Sequence, residues 1–159
     1  MNAYWDEKIV IEGPGVVSVI MRGRQLHKLA AQGGQFFSWR FLEKGHLLVA
    51  HPYSLSAAPT EHYVRITVKD LGDHSRSLAL LHSGTRVFVE GPYGAFTAGR
   101  SSSPQVVLVG GGVGITPIRA IIEEFKNGVQ MDVIFRASKE EDLVLREELD
   151  YLAANSDGT

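Results

Sequence analysis

The amino-acid sequence predicts two units of different fold class: an antiparallel β barrel or sandwich over residues 1–99, and a parallel α/β unit over residues 105–159. Short apolar runs separated by glycine and proline turns fill the first unit. The Gly-Arg-Ser-Ser-Ser-Pro stretch at 99–104 has the composition of a linker. Beyond it the pattern becomes strand, helix, strand, helix, which is typical of a parallel sheet.

The strand candidates of the first unit are short runs rich in β-branched and aromatic residues. They cover residues 8–11, 16–21, 35–42, 47–50, 53–57, 63–69 and 86–90. The run at 62–69 alternates partly between polar and apolar residues, as expected for a strand with one solvated face. One helix is predicted between the last two strands, with Ser75 as N-cap, Leu78 and Leu81 on its inner face, and Gly84 at its end.

The α/β unit is predicted to contain two strands, each followed by a helix. The strands cover residues 106–109 and 131–135. The last helix has Leu145, Leu149 and Leu152 on one face, and the segment from Ser138 to Glu141 fits a capping box at its start. Because two parallel strands bury too little of a sheet, we expect this unit either to be truncated or to be completed by a partner chain.

The run Gly110-Gly111-Gly112-Val113-Gly114-Ile115-Thr116-Pro117 lies between the first of these strands and its helix. Glycines there let the backbone approach phosphate oxygens, and a helix start offers free N–H groups and the positive end of a dipole. Pro117 suits the first turn of a helix, where its missing N–H costs nothing. The same arrangement also lets a helix pack closely on a strand, so the run alone leaves a pyrophosphate site and a packing device both open.

Composition excludes several classes of function. The 159 residues carry a formal net charge of −2, which argues against nucleic acid or an anionic membrane as the main partner. Cysteine is absent, so the sequence holds no disulfide, thiolate zinc site or cysteine-bound iron–sulfur cluster. The six histidines have no chelating spacing, and no metal is predicted. Without a signal peptide or an apolar run of about 20 residues, we expect a cytoplasmic chain with no membrane span.

A second motif is His51-Pro52-Tyr53-Ser54, on a predicted strand. A tyrosine ring there is suited to stack on a flat redox cofactor, and the neighbouring hydroxyl is suited to hydrogen-bond the reactive nitrogen of that cofactor. An ordinary strand whose tyrosine packs in the core also fits the motif.

Residues 68–76 form a third motif, in which a strand leads through a glycine turn to a helix start. This geometry binds anions, and Lys69 and Arg76 supply positive charge for a phosphate. A plain N-cap by Ser75 also explains the segment. The loop at 91–96, Gly-Pro-Tyr-Gly-Ala-Phe, indicates a tight turn only.

In their order along the chain, these segments resemble the ferredoxin–NADP reductase superfamily, and within it the flavin half of ferric reductases and NADPH oxidases. The resemblance runs from about Ile9 to Leu152 and includes Gly34-Gln35-Phe36 beside the motifs above. It implies a Greek-key barrel that binds FAD, followed by an α/β domain that binds NADPH or NADH. It also implies an oxidoreductase that passes electrons from NADPH through FAD to an external one-electron acceptor: a membrane haem domain, an iron–sulfur protein or a ferric chelate. The cytoplasmic face of a membrane reductase is then one expected location. A non-catalytic module that binds FAD or nucleotide is the alternative.

The resemblance also implies roles for individual residues. Tyr53 would stack on the isoalloxazine ring and Ser54 would lie beside its N5 atom, with His51 and Pro52 in the same segment. The ribityl, adenine and pyrophosphate contacts would come from Val68, Lys69, Gly72, His74, Ser75 and Arg76. The contacts with the nicotinamide dinucleotide would come from Gly110, Gly111, Gly112, Gly114 and Thr116. Ser54 and Thr116 are thus the residues expected nearest to hydride transfer.

Two departures from the family pattern lead to further expectations. Many members have arginine where this chain has His51, which is a neutral donor or, below about pH 6.5, a cation. We therefore expect weaker or pH-dependent retention of FAD. The family's later segment, with a Cys-Gly pair and a terminal aromatic residue, has no counterpart before Thr159, which leaves hydride transfer by this sequence alone open.

The end of the second α/β strand bears on the choice of nicotinamide cofactor. An arginine there accommodates the 2′-phosphate of NADP, whereas a carboxylate accepts the 2′-hydroxyl of NAD. Arg136, with Ser138 two residues on, favours NADPH, and a solvated charge at the strand end also explains Arg136. Glu140 and Glu141 follow closely and keep NADH as the second possibility.

Overall fold

The computed structural model describes residues 2–43, 49–125 and 128–155, with side chains described for all of these except 2–8 and 74. The strands are β1 (Asn2–Gly13), β2 (Val16–Arg22), β3 (Phe36–Phe41), β4 (His51–Ser54), β5 (Tyr63–Lys69), β6 (Arg86–Tyr93), β7 (Gln105–Gly111) and β8 (Gln130–Arg136). The α-helices are α1 (Asp73–Ser77), α2 (Ile115–Ile122) and α3 (Arg146–Asn155). Short 3₁₀ turns occur at Leu26–Leu29, Leu78–Leu80, Ala98–Arg100, Gly112–Gly114 and Glu140–Asp142.

The first six strands form an antiparallel barrel. Their order in the sheet is β4-β3-β6-β1-β2-β5, and a bridge between Leu55 and Ile66 brings the two edge strands together. Alternate residues of β3 point inward, as a half-buried strand requires, so that Phe37, Trp39 and Phe41 are fully buried. The predicted barrel is therefore confirmed, and the sandwich alternative is wrong.

Strand β5 is buried on both faces, which differs from the expectation of one solvated face. Ile66 and Val68 pack in the barrel core. On the opposite face Arg65 is only 9% exposed and Thr67 only 4%. The reason is that this outer face is covered by hydrogen-bonding partners, among them Glu148 of α3. A polar side chain in a strand does not imply a solvated face when another unit packs over it.

The α/β unit, from β7 to α3, carries a two-stranded parallel sheet. Gly111 of β7 lies opposite Arg136 of β8, and α2 packs beside β7. A second apolar cluster joins this unit to β2 of the barrel, and its members are Val16, Leu108, Ile115, Ile118 and Val144. The other face of the sheet is open, with Val107 59% and Val109 67% exposed. Among the helices that the structure describes, none is both long and apolar enough to cross a lipid bilayer.

Two helix starts differ from prediction for local reasons. Helix α1 begins at Asp73, so Ser75 lies inside the first turn and is not the N-cap; its hydroxyl accepts from Leu71 N at 2.8 Å. The segment from Ser138 forms the 3₁₀ turn Glu140–Asp142, and the predicted capping box is wrong. Leu145 has a φ of +61°, which lies outside the right-handed helical region, and α3 begins at the next residue.

Other local predictions are confirmed, wrong or outside the description. Leu78 and Leu81 are buried as expected, but the predicted helix end at Gly84 is wrong, because α1 ends at Ser77 and only the 3₁₀ turn Leu78–Leu80 follows. Pro117 lies in the first turn of α2. The strand predicted at 47–50 lies partly outside the described residues, and Val49 and Ala50 precede β4 without belonging to a strand.

Candidate functional site

An open cavity of about 280 Å³ lies where β4, the end of β5 and the start of α1 meet. Its lining consists of His51, Tyr53, Lys69, Leu71, Gly72, Asp73 and Ser75. Five of these residues were predicted to bind FAD, and they come from two segments separated by a long stretch of sequence. The barrel brings the two segments together because the bridge at Leu55 and Ile66 sets the end of β4 beside β5.

Two parallel rings form one wall of the cavity. The centroids of His51 and Tyr53 are 5.8 Å apart, with 18° between the ring planes, because alternate residues of β4 point to the same side. Trp39 Nε1 donates to the carbonyl oxygen of Tyr53 at 2.9 Å and fixes the strand. The Tyr53 ring packs partly against the barrel core and is half-buried, and burial raises the pKa of its hydroxyl. The hydroxyl therefore stays neutral and able to donate at physiological pH.

The turn before α1 forms the opposite wall. Gly72 has a φ of +150°, a conformation that favours glycine, and its N–H donates to Asp70 Oδ1 at 3.1 Å. Arg76 Nε donates to the other oxygen of Asp70 at 2.8 Å, and this hydrogen bond lowers the pKa of the carboxyl group. Lys69 Nζ lies 3.1 Å from Asp142 Oδ1 in the α/β unit. Both cations predicted for a phosphate are thus paired with carboxylates, and of the two only Lys69 lines the cavity.

Some predicted FAD contacts lie elsewhere. The side chain of Val68 is 3% exposed and belongs to the barrel core, so only its main chain is available to a ligand. Pro52 and Ser54 alternate with the two ring residues along β4 and do not line the cavity. His74 lies in α1, and its side chain falls outside the described residues.

The glycine-rich loop contains glycines of two kinds. A Cβ added to Gly110 would lie 2.9 Å from Ile118 Cδ1 and 3.3 Å from Ile115 Cα, so a glycine here allows the close packing of α2 on β7. Gly112 has a φ of +51° and open space around it. Gly114 has an ordinary helical φ of −63°, and no atom lies within 4 Å of an added Cβ. Close packing therefore accounts for a glycine at position 110, but it does not account for the glycine at position 114.

The same edge of the sheet holds the other predicted nucleotide contacts. Arg136 ends β8 opposite Gly111 and is exposed, and Ser138 follows two residues later, also exposed. Thr116 lies in the first turn of α2 and is only 5% exposed. The 3₁₀ turn Gly112–Gly114 approaches strand β5 of the barrel. The glycine loop, the end of β8 and the barrel therefore meet along one border.

Residues 7–97, more than half of the chain, match a family model described as an FAD-binding domain. The chain belongs to this family of FAD-binding domains, within the ferredoxin–NADP reductase superfamily. Residues 108–159 match a second model, the oxidoreductase NAD-binding domain. The predicted order of an FAD-binding barrel followed by a NAD-binding unit is confirmed.

Three known proteins resemble this chain, two in sequence and one in fold. NADH-cytochrome b5 reductase 1 of Cryptococcus neoformans is 35% identical over 91 residues, which is 55% of this chain and 31% of that protein. The flavohemoprotein of Halalkalibacterium halodurans is 30% identical over 141 residues, 81% of this chain and 34% of that protein. The chain thus spans about a third of the length of these relatives. The FAD/NAD-binding domain of nitric oxide dioxygenase from Vibrio cholerae has the same fold, with a TM-score of 0.80 at 22% identity, covering 98% of this chain and 70% of that domain.

Sequence reasoning missed the carboxylates that hold the site together. Asp70 and Asp142 fix the two cations, and Glu148 joins α3 to the barrel. Asp70 had a local signal, since it lies in the same turn as Arg76. Asp142 and Glu148 had none, because their partners lie 73 and 83 residues away.

Proposed function

We propose that this chain is the FAD- and nucleotide-binding module of a reductase that passes electrons from NADPH through FAD to an external one-electron acceptor. The observation that carries the proposal is the cavity shared by His51 and Tyr53 of β4 and by the glycine turn before α1. One wall offers flat rings for an isoalloxazine, and the other offers a backbone turn and cations for a pyrophosphate.

Each part of the site contributes a distinct task. FAD, when bound, would supply the redox chemistry, since a flavin can accept a hydride and release electrons one at a time. The Tyr53 ring orients the flavin plane, and Ser54, which follows it at the end of β4 outside the cavity lining, remains the proposed neighbour of the reactive nitrogen of the flavin. Lys69 and Arg76 exchange part of their carboxylate contact for phosphate oxygens. No side chain of the described site has to act as an acid or base in this scheme, since positioning and exclusion of water are the protein's contribution.

The nicotinamide cofactor occupies the border between the glycine loop and the barrel. Gly110, Gly111, Gly112 and Gly114 let the backbone approach the pyrophosphate, and the start of α2 at Thr116 faces the nicotinamide end. Arg136, at the exposed end of β8, pairs with the 2′-phosphate, which makes NADPH the preferred donor. Ser138 is close enough in sequence to add a hydroxyl contact to the same ribose.

Haem is the acceptor class that we propose. The similar proteins are a cytochrome b5 reductase and a flavohemoprotein by name, and both names point to a haem partner. The haem lies either in a separate protein or in a membrane domain, with the module on the cytoplasmic side. The resemblance to reductases is the support for this placement.

Reconstitution with FAD tests the proposal. The chain is incubated with FAD, freed of excess cofactor by gel filtration, and its visible flavin absorbance is measured per mole of protein. We expect about one FAD per chain, and a fall in FAD affinity of about fivefold or more in Tyr53→Ala, because stacking on an aromatic ring contributes on the order of 1 kcal/mol or more. Tyr63→Ala is the matched control, because Tyr63 lies on β5 outside the cavity and is also half-buried.

Two outcomes contradict the proposal. A folded chain that takes up no FAD removes the flavin function altogether. Equal FAD affinity in the Tyr53 and Tyr63 variants removes the assignment of the cavity. FAD uptake without reduction by NADPH in the absence of oxygen points to the second candidate, a non-catalytic binding module, which the open face of the two-stranded sheet favours.

A further inference from the structure

A buried polar cluster links the segment that follows β4 to the outer face of β5. Arg65 Nε donates to Ser56 Oγ at 3.1 Å, and its Nη2 donates to the Ser56 carbonyl oxygen at 2.7 Å. The same Ser56 hydroxyl lies 2.8 Å from Thr67 Oγ1, which bonds to Ser18 Oγ at 2.7 Å. Ser56 is two residues beyond Ser54, so Arg65 fixes the chain immediately after the proposed flavin-contacting strand.

The other end of Arg65 reaches the α/β unit. Its two terminal nitrogens pair with both oxygens of Glu148 on α3, at 2.8 and 2.9 Å. Arg119 Nε, on α2, lies 2.6 Å from Glu148 Oε2. Arg119 is one helical turn beyond Thr116, and its terminal nitrogen also pairs with Glu123. One carboxylate is therefore held between a guanidinium of the barrel and a guanidinium of the helix that follows the glycine loop.

Glu123 provides a second connection to the barrel side. Its Oε2 accepts from Ala58 N at 2.6 Å, so the segment after β4 is bonded both to Arg65 and to α2. The four charged groups, two arginines and two glutamates, balance in charge, and both arginines are 9% exposed. Burial alone would raise the pKa of Glu148, but the hydrogen bonds from Arg65 and the positive charges of Arg65 and Arg119 outweigh burial and lower the pKa. The carboxylate stays ionised, as a bidentate pair requires.

From this geometry we propose that Arg65, Glu148 and Arg119 form a positioning cluster that fixes α2 and its glycine loop relative to β4. The inference rests on the proposed function, because it gives these residues the task of holding Thr116 at a set distance from Ser54. None of the three lines the cavity, so they act through the segments they hold. Buried ion pairs add little net stability but can select a single arrangement, which suits a role in alignment. An error of about 1 Å between reacting groups costs on the order of a hundredfold in rate.

The test compares Glu148→Gln with Glu147→Gln in the full chain. Glu147 is the matched control, since it is the preceding carboxylate on α3 and is exposed. Amide hydrogen exchange is followed in the segments 56–58 and 115–122. We expect Glu148→Gln to accelerate amide exchange by about tenfold in segment 56–58 and equally in segment 115–122. The reason is that Arg65 of the barrel and Arg119 of α2 both lose the charge of Glu148. The control variant exchanges like the wild type in both.

The second arm uses the chain loaded with FAD and mixed with NADPH without oxygen. In Glu148→Gln we expect the limiting rate of flavin bleaching to fall by about tenfold to a hundredfold, with NADPH affinity changed less than about threefold. FAD uptake remains at wild-type level, since the cavity lining is untouched. The double variant Arg65→Gln/Glu148→Gln is no slower than Glu148→Gln, as expected for residues that act as one unit.

Distinct results overturn the two proposals. Faster exchange confined to α3, or additive effects in the double variant, overturns the positioning cluster. If NADPH bleaches the wild type and bleaches Glu148→Gln at the same rate, the positioning cluster is likewise overturned. A wild type that is not bleached at all contradicts the proposed function, while the exchange measurement still decides whether the cluster holds the two segments together.

Discussion

Gly114 offers a test of whether the glycine loop exists for packing or for a nucleotide. Gly114 has helical dihedral angles, φ −63° and ψ −8°, and open space around an added Cβ. Gly114→Ala is therefore expected to stabilise the fold by about 0.4–1 kcal/mol, because alanine lowers the entropy of the unfolded chain without strain. Under the proposed function, the added methyl group would occupy the space through which phosphates approach the backbone. We expect NADP affinity to fall by about tenfold, equivalent to about 1.4 kcal/mol.

Gly110→Ala is the contrasting variant. Its added Cβ would lie 2.9 Å from Ile118 Cδ1, 3.1 Å from Ile115 Cδ1 and 3.3 Å from the backbone atom Ile115 Cα, so α2 would have to shift slightly away from β7. We expect a loss of about 1–3 kcal/mol of stability from overpacking. Urea unfolding measures the change in stability of both variants, and calorimetric titration measures their affinity for NADP. The reasoning is refuted if Gly114→Ala leaves NADP affinity unchanged while the protein is folded and as stable as expected.

Three further variants probe charge at the site. His51→Arg is expected to make FAD retention stronger and independent of pH between about 5.5 and about 8, an interval that brackets the ordinary histidine pKa of about 6.5. Equal pH dependence of FAD retention in both proteins would count against a role for the His51 charge. Arg136→Glu is expected to shift the ratio of NADPH to NADH affinity by about tenfold toward NADH, and titration with both cofactors measures it. The pKa of Glu148 is lowered in the folded state, so its contribution to stability is present above pH 4.5 and is lost as the pH falls through the folded value. Urea midpoints should therefore drop in acid more steeply for the wild type than for Glu148→Gln, and parallel curves would contradict this assignment.

The barrel was predictable because its pattern is local. Phe37, Trp39 and Phe41 alternate along β3, and this period of two specifies a strand with one buried face without any knowledge of its neighbours. The motifs were predictable for the same reason, since β4 and the turn before α1 each carry their chemistry in a few adjacent residues. The two motifs share one cavity because of strand pairing, and strand pairing cannot be read from the sequence.

The errors arise where distant contacts decide the local conformation. Polar residues such as Arg65 and Thr67 predict a solvated face, but the α/β unit covers that face of β5. The segment after Ser138 has a good capping pattern, yet Leu145 adopts a φ of +61° and α3, which pairs with Arg65 of the barrel, begins only after it. Glu148 carries no local signal, because its role comes from two arginines on other elements. Interactions between units were thus the part that sequence patterns could not predict.

Anaerobic mixing of the FAD-loaded chain with NADPH tests the central claim most directly. The visible flavin absorbance is followed in time after mixing, and Tyr53→Ala loaded to the same extent serves as the comparison. The proposed function predicts complete bleaching by NADPH, with recovery of the band when a haem protein acceptor is added. A chain that holds FAD in the cavity of β4 and α1 but keeps its full flavin absorbance in excess NADPH would contradict it.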